Sequence, residues 1–220
     1  VLLPTLSRHF ISKGWAGFEF ICDIPGTAGG AVRMNAGTRH GEIKDQFVSA
    51  TVLAPNGKIQ TISKEEMRFT HRSSGIAETR DIVLSVQFKL KSHEKATLIE
   101  DRIKQIISKR RQKQPRIRRN CGSVFQNPSS GKSAGWYIEQ AGLKGARIGD
   151  AMVAHEHANW IINLGSATSK HIKTLIVKVQ NEVFQKFSIM LKRELVYIPE
   201  DLIDNIDSKG RQTDINPMTA

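Results

Sequence analysis

The stretch Asn120-Cys121-Gly122-Ser123-Val124-Phe125-Gln126-Asn127-Pro128 sets a serine directly behind a glycine and ahead of an Asn-Pro stop. Upstream of it, seven of the eleven residues 109–119 are Lys or Arg. A hydroxyl beside that much positive charge suits an anionic substrate, either as hydrogen-bond donor or as proton donor. Bonds from such cations to phosphate are charge-assisted and strong, so the run can hold a diphosphate, although the pattern alone equally fits a solvated face. Ser123 does not lie in G-x-S-x-G, and no histidine stands close in sequence to act as its base. Spacing alone leaves a structural and a functional serine both open.

Other residues invite chemistry on weaker patterns. Gly29 and Gly30 lie in Ile24-Pro25-Gly26-Thr27-Ala28-Gly29-Gly30-Ala31, small enough for backbone to approach a phosphate or a flat cofactor. The stretch fits neither G-x-G-x-x-G nor the phosphate loop, and a tight structural turn is the simpler reading. His155-Glu156-His157, placed on a strand, would turn both imidazoles to one side and toward one ion. H-E-x-x-H is absent and no third ligand is evident, so a surface or substrate-contacting histidine is preferred and no metal is expected. Arg72 follows Phe69-Thr70-His71 and reads in isolation as a surface arginine; Glu194 reads as a carboxylate paired with a neighbouring Lys or Arg.

Composition narrows the class. The 220 residues suffice for one large or two small domains, and 39% hydrophobic with 25% charged content is ordinary for a globular chain. No apolar run is long enough to cross a bilayer. Cys22 and Cys121 form no C-x-x-C pair, which excludes a disulfide framework and points to a reducing cytoplasm. A net charge of +12 attracts nucleic acid, anionic lipid or a phosphorylated small molecule. The excess concentrates over 102–119 without interleaved aromatic rings, which ranks nucleic acid below a nucleotide diphosphate.

The elements that must position these residues are partly legible. Helical spacing over 5–14 ends at Gly14, and 47–53 with 59–62 around Pro55-Asn56-Gly57-Lys58 predicts a hairpin. Residues 82–90 read as a further strand. Near Ser92 the character changes: Leu98, Ile99, Ile103, Ile106 and Ile107 mark an amphipathic helix running into the basic cluster before Pro115. A short helix over 136–141 is closed by Gly142, and Val153 and 160–163 are strand material. A long helix spans 168–187 with Thr168 or Ser169 as cap, and 188–198 reads as a terminal strand before a polar tail. Without strict βαβ alternation, the fold class is α+β.

Taken together the segments resemble the UDP-N-acetylenolpyruvoylglucosamine reductase family. The resemblance rests on Ile24-Pro25-Gly26-Thr27-Ala28-Gly29-Gly30-Ala31-Val32-Arg33-Met34-Asn35-Ala36-Gly37, on Phe69-Thr70-His71-Arg72-Ser73-Ser74, and on Lys113-Gln114-Pro115. It continues through the Cys121 to Pro128 stretch, Ala134-Gly135-Trp136-Tyr137-Ile138-Glu139-Gln140-Ala141-Gly142, Arg147-Ile148-Gly149, His157-Ala158-Asn159 and Glu194-Leu195-Val196. Weak patterns in a fixed order become specific. The resemblance implies a flavoenzyme in which NADPH reduces FAD, and the flavin in turn reduces the enolpyruvyl group of a UDP-sugar on the way to peptidoglycan. It implies Ser123 as proton donor, with Arg72 and Glu194 stabilising the enol intermediate. Gly29, Gly30, Ala31, Asn35 and Gly37 would face the flavin, and Lys113, Asn127 and His157 the substrate.

The resemblance also implies a layout: the C-terminal part of a PCMH-type FAD-binding domain over 1–91, a substrate domain over 92–203 and a polar tail over 204–220. The family begins with a further FAD-binding half, carrying a Gly-Ser-Asn motif with no counterpart here, so the chain reads as N-terminally truncated. Thr38-Arg39-His40-Gly41 stands where many relatives have Ala-Tyr-Gly, which fits the subclass lacking a tyrosine-bearing lid. The expectation is a cytoplasmic, monomeric reductase without membrane attachment. The alternative is an inactive fragment or paralogue that binds a nucleotide sugar or nucleic acid through the basic cluster.

Overall fold

The computed structural model describes residues 1–115, 119–129 and 131–198. Positions 116–118 of the basic run and the tail expected over 204–220 lie outside the described residues. The chain divides into two compact units, Val1–Arg110 and a second from Arg111 onward. Helices and antiparallel strands mix in both, the α+β organisation that the sequence predicts.

The first unit contains α1 (Leu3–Ser12), β1 (Trp15–Ala16), a 3-10 turn at Glu19–Ile21, α2 (Ala28–Arg33), β2 (Gly37–Thr38) and β3 (Gly41–Glu42). It continues with α3 (Ile43–Gln46), β4 (Phe47–Leu53), β5 (Ile59–Ser63), α4 (Ile76–Thr79), β6 (Ile82–Phe88) and β7 (Ser92–His93). Most of α5 (Ala96–Lys113) also belongs to it. The central sheet has the order β5-β4-β6, with β4 antiparallel to both neighbours. Phe47, Ala50 and Val52 of β4 turn inward and meet Phe18, Phe20, Ile21, Val32 and Met67 in one apolar cluster. Chain reversal into α1 is helped by Pro4 in its first turn, where a missing N–H costs nothing.

Helix α5 is held to this unit by packing and by charge. Ile99 and Ile103 bury against Ala16, with Ile11, Cys22 and Ile107 around them. The Arg102 guanidinium donates to Glu19 at 2.6 Å and to Glu94 at 2.7 Å, bidentate recognition that Lys could not reproduce. The stripe expected from sequence is therefore narrower in fact. Leu98 stays 53% exposed while Ile99 is 1% exposed, because one 100° step separates them on the helix.

The second unit holds β8 (Asn120–Ser123), α6 (Ala134–Gln140), β9 (Arg147–Ile148), β10 (Ala151–Val153), β11 (Trp160–Asn163) and α7 (Ser169–Phe187). Its sheet runs β8-β11-β10-β9, again antiparallel throughout. Leu175, Ile176, Val179 and Val183 of α7 bury in one cluster with Tyr137, Ile138, Val153 and Ile161. Thr168 caps α7 by accepting from the His171 N–H at 3.2 Å, as the sequence expects. The strand expected over 188–198 does not form. Arg193 makes a single isolated bridge to Phe125, since of the described residues beyond the α7 C-cap at Ser188 only Lys192 and Glu194 bond another backbone segment.

Replacing Ile99 by Ala should cost about 2–5 kcal/mol of unfolding free energy, whereas Leu98→Ala should change it by less than about 0.5 kcal/mol. Urea denaturation of the two variants measures both, and equal losses would contradict the packing of α5.

Candidate functional site

In the first unit, the Phe69-Thr70-His71-Arg72-Ser73-Ser74 segment folds back on itself. The Thr70 and Ser73 backbones bond each other, the Thr70 N–H donating to the Ser73 carbonyl at 3.0 Å, which leaves His71 and Arg72 at the tip. Arg72 has φ +56°, a left-handed conformation that a long side chain rarely adopts. The base of this turn is held from below. Asn35, fully buried, donates from Nδ2 to the Thr70 carbonyl at 2.9 Å and to Glu42 Oε2 at 2.6 Å, and its Oδ1 accepts from the Lys44 N–H at 3.0 Å. Ser74 Oγ donates to the Arg33 carbonyl at 2.9 Å. The side chain of Asn35 is thus committed to protein, and what it can contribute to a site is the position of the Arg72 turn.

Gly29 and Gly30 are in α2, not in a loop, with the Thr27 hydroxyl accepting from the Gly30 N–H at 3.1 Å. An added Cβ at Gly29 would lie 3.3 Å from Val83 Cβ, so this glycine lets α2 approach β6. One at Gly37 would meet the Gly41 carbonyl oxygen at 2.6 Å, so here the small residue serves the β2–β3 hairpin. Ala31 is buried at 4% exposure. Pro25, Gly26, Thr27 and Gly30 remain exposed, and the space at the Gly26 Cβ position is open. Arg39 and His40 form the two-residue tip of the β2–β3 hairpin, where Arg39 Nε donates to His40 Nε2 at 3.2 Å. Burial and the nearby charges of Arg39, Lys109 and Arg110 all push the His40 pKa down. The basic end of α5 therefore contributes to the field around this tip, a convergence that sequence distance concealed.

In the second unit the decisive piece is the end of β8. Gly122 has φ +81° with nothing within 4 Å of a would-be Cβ, so it is the backbone turn and not crowding that demands glycine. The Gly122 N–H donates to Asn120 Oδ1 at 2.9 Å, closing a local turn that delivers Ser123 opposite Trp160 of β11. Beyond Ser123 the chain leaves the regular ladder and is gripped on both sides. The Val124 N–H donates to the Asn159 carbonyl at 2.9 Å, and the Val124 carbonyl accepts from the Glu194 N–H at 2.8 Å. The Gln126 N–H donates to the Lys192 carbonyl at 2.8 Å. Glu194 thereby faces Val124, one residue from Ser123.

Asn127 and His157 border the same segment. Asn127 Oδ1 accepts from the Ala134 N–H at 3.0 Å at the start of α6, which turns the amide nitrogen into the end able to meet an oxygen of a ligand. His157 Nδ1 accepts from the Asn159 N–H at 3.2 Å, and the other ring nitrogen then carries the proton. Burial pushes the His157 pKa below the ordinary histidine value, with the Lys144 charge acting in the same direction. The imidazole is therefore a neutral donor at pH 7. Lys113 is the exposed last residue of α5. Beside β8 lies a cavity of about 290 Å³ whose walls include Cys121, Val124, Ile161, Ile172 and Leu195, too apolar for a diphosphate.

The structure brings Ser123, Glu194, Asn127 and His157 together around one short segment of the second unit, while Arg72 and the α2 residues belong to the first. His155-Glu156-His157 lies in a bend between β10 and β11 and not on a strand, so the two rings do not share a strand face. The imidazole of His155 lies against Gly145, and that of His157 faces Gly135 of α6. Among the described residues no group of three His, Cys, Asp or Glu is placed to hold a metal ion. Sequence reading quoted Asn159 within a motif without giving it a role.

Two measurements test this geometry. Arg72→Gly and Arg72→Ala both delete the side chain, but only glycine relaxes the left-handed backbone, so the Gly variant should be about 1 kcal/mol more stable in urea denaturation. Equal stabilities would mean the turn carries no strain. For His157, burial holds the folded pKa below the ordinary histidine value of about 6.5, so the unfolded chain takes up the proton first as pH falls. Its contribution is present above about pH 6.5 and is lost as pH drops toward the folded value. Thermal midpoints at about pH 7.5 and 5.5 should drop more for the wild type than for His157→Gln. An identical drop in both would refute the assignment.

Comparison with known proteins matches these two regions separately. A family model described as "UDP-N-acetylenolpyruvoylglucosamine reductase, C-terminal domain" covers residues 114–198, and one described as "FAD binding domain" covers residues 1–63. A reductase of that name from Nostoc sp. is 42% identical over 198 residues, covering 90% of this chain and 60% of the relative. One from Caldicellulosiruptor bescii is 40% identical over 215 residues, covering 96% of this chain and 68% of the relative. A solved UDP-N-acetylenolpyruvylglucosamine reductase from Thermus caldophilus superposes with a TM-score of 0.79 at 36% identity, over 90% of this chain and 70% of that one. The chain spans 60% of the length of the Nostoc relative and 62% of one from Symbiobacterium thermophilum. With a described fold, two regional matches and a relative two-thirds covered all in agreement, the chain belongs to the UDP-N-acetylenolpyruvoylglucosamine reductase family.

Proposed function

We propose that this chain carries out the FAD- and NADPH-dependent reduction of UDP-N-acetylglucosamine enolpyruvate to UDP-N-acetylmuramate, a cytoplasmic step of peptidoglycan precursor synthesis. The observation that carries the reading is the backbone ladder that sets Glu194 against Val124, beside Ser123, within the region matched by the reductase model. The first unit is assigned to the C-terminal part of an FAD-binding domain and the second to the substrate domain, with α5, expected in the substrate domain from residue 92 onward, packed instead on the first unit. The fit to a flavin is supported by the exposure of Pro25, Gly26, Thr27 and Gly30 and by the open space beside Gly26. Gly29, Gly30, Ala31 and Gly37 would shape that face, with Asn35 acting through the turn it holds. When bound, FAD supplies the two-electron relay between NADPH and the sugar nucleotide.

The remaining chemistry falls to side chains. Hydride arrival at the β-carbon of the enol ether leaves negative charge at the α-carbon, shared with the adjacent carboxylate as an enolate. Arg72 stabilises that charge as a cation, presented at the tip of a strained turn. Glu194 steadies the enol form, and the Ser123 hydroxyl delivers the proton to carbon. A hydroxyl is a weak acid, so it works only against a strongly basic carbon with cations near it. Lys113 and the amide of Asn127 bind the diphosphate, and the neutral His157 offers one N–H to the sugar nucleotide.

Purified chain supplied with FAD, NADPH and the enolpyruvyl UDP-sugar should oxidise NADPH in step with substrate. Ser123→Ala should keep flavin reduction by NADPH and slow the second half-reaction by about 10²–10⁴-fold in stopped-flow absorbance. Unchanged substrate reduction by that variant would remove Ser123 from the chemistry.

A further inference from the structure

We infer that Asn159 is a positioning residue that holds Ser123 and Glu194 in register, an assignment that rests on the function proposed above. Strand β11 begins at Trp160, opposite Ser123, two residues too late to offer backbone to Phe125. Asn159 fills the place of the missing strand residue with its side chain. Its Oδ1 accepts from the Phe125 N–H at 2.9 Å and its Nδ2 donates to the Phe125 carbonyl at 2.8 Å, so one carboxamide mimics a paired peptide. Its own carbonyl accepts from the Val124 N–H at 2.9 Å. Asn159 is 4% exposed and Phe125 2%, so neither polar group of Phe125 has water as a substitute partner.

The consequence reaches Glu194 because residues 124–126 have a second edge. On that edge the Val124 carbonyl accepts from the Glu194 N–H and the Gln126 N–H donates to the Lys192 carbonyl, each at 2.8 Å. Residues 192–194 sit in no larger sheet, and Phe125–Arg193 is an isolated bridge. Leu191 is anchored just upstream, its carbonyl accepting from Gln180 Nε2 at 2.8 Å, and beyond it the pairing of 192–194 is set by 124–126, whose own position is set by Asn159. His157 closes the chain of contacts, since its Nδ1 accepts from the Asn159 N–H at 3.2 Å. Asn159 touches the reaction only through the backbone it fixes. A carboxylate at this position could still accept from the Phe125 N–H but would face the Phe125 carbonyl with a second acceptor. Segment 124–126 would then part from Asn159, and the pairing that sets Glu194 against Val124 would lose its support.

The test compares wild type, Asn159→Asp and the smaller Asn159→Ser, each as the whole chain. Amide hydrogen exchange read by mass spectrometry should accelerate in both variants across 122–126 and 192–195, while α7 keeps its protection. With FAD, NADPH and the enolpyruvyl UDP-sugar, kcat should fall about 10²-fold, the scale of an ångström-sized misplacement, with KM changed by less than about threefold. Unaltered exchange at 192–195, or a loss confined to KM, overturns the inference. If Asn159→Asp does not fold, Asn159→Ser decides alone. A wild-type chain without turnover would defeat the proposed reaction, and the exchange comparison would still decide whether Asn159 sets the register.

Discussion

Buried carboxamides bonded to backbone are the constraint on which the candidate segment of each unit depends. Asn35 in the first unit is 0% exposed and Asn159 in the second is 4% exposed. Each spends its side chain on the main chain of a segment that bears a residue of the proposed chemistry: Asn35 on Thr70, two residues before Arg72, and Asn159 on Phe125, two residues after Ser123. An asparagine can do this because it carries donor and acceptor on one rigid plane, matching the two polar groups of a peptide. The arrangement is costly to break, since a buried backbone group left without a partner forfeits about 1–3 kcal/mol. A loop anchored in this way is held like a strand without belonging to a sheet. Its tip is free to adopt the geometry that chemistry requires.

Charge is distributed to match. The excess of basic residues over 102–119 is not a uniform solvated face. Arg102 is spent on Glu19 and Glu94, and Arg110 pairs with Asp23 at 3.3 Å, which fixes α5 on the first unit. Lys109 and Arg110 still contribute to the field felt by His40 at the β2–β3 tip. The same helix therefore serves packing through its first half and electrostatics through its last turns.

How much of this was legible in the sequence follows the range of the forces involved. Helix α7 was legible because Leu175, Ile176, Val179 and Val183 repeat at helical spacing and Thr168 supplies a local cap. The β4–β5 hairpin was legible because its turn residues are adjacent to its strands. Residues 188–198 alternate like a strand but pair only at 192–194, because strand formation needs a partner that no local pattern announces. His155 and His157 alternate too, yet they occupy the bend that reverses β10 into β11. Gly29 looked like loop and proved to be helix, since its small size answers to Val83 in β6, far along the chain. Asn159 was invisible for the same reason: its partner is Phe125, thirty-four positions away.

Backbone strain separates Arg72, to which the proposed function gives the enolate charge, from the ordinary outliers. Among the described residues five non-glycines have positive φ: Asn35, Arg68, Arg72, Arg80 and Ser188. Arg80 and Ser188 are the C-caps of α4 and α7, and Asn35 follows the C-cap of α2, so helix endings account for three. Arg68 ends the turn after β5, where its N–H donates to the Glu65 carbonyl at 3.2 Å. Arg72 alone stands at a two-residue tip that glycine or asparagine would fill more cheaply. A conformation costing about 1–3 kcal/mol persists where its surroundings over-determine it. Here the surroundings are the Thr70–Ser73 bonds, Asn35 beneath them and the Ser74 hydroxyl on Arg33. That much structure maintaining an unfavourable arginine is best explained by what the guanidinium does at the tip.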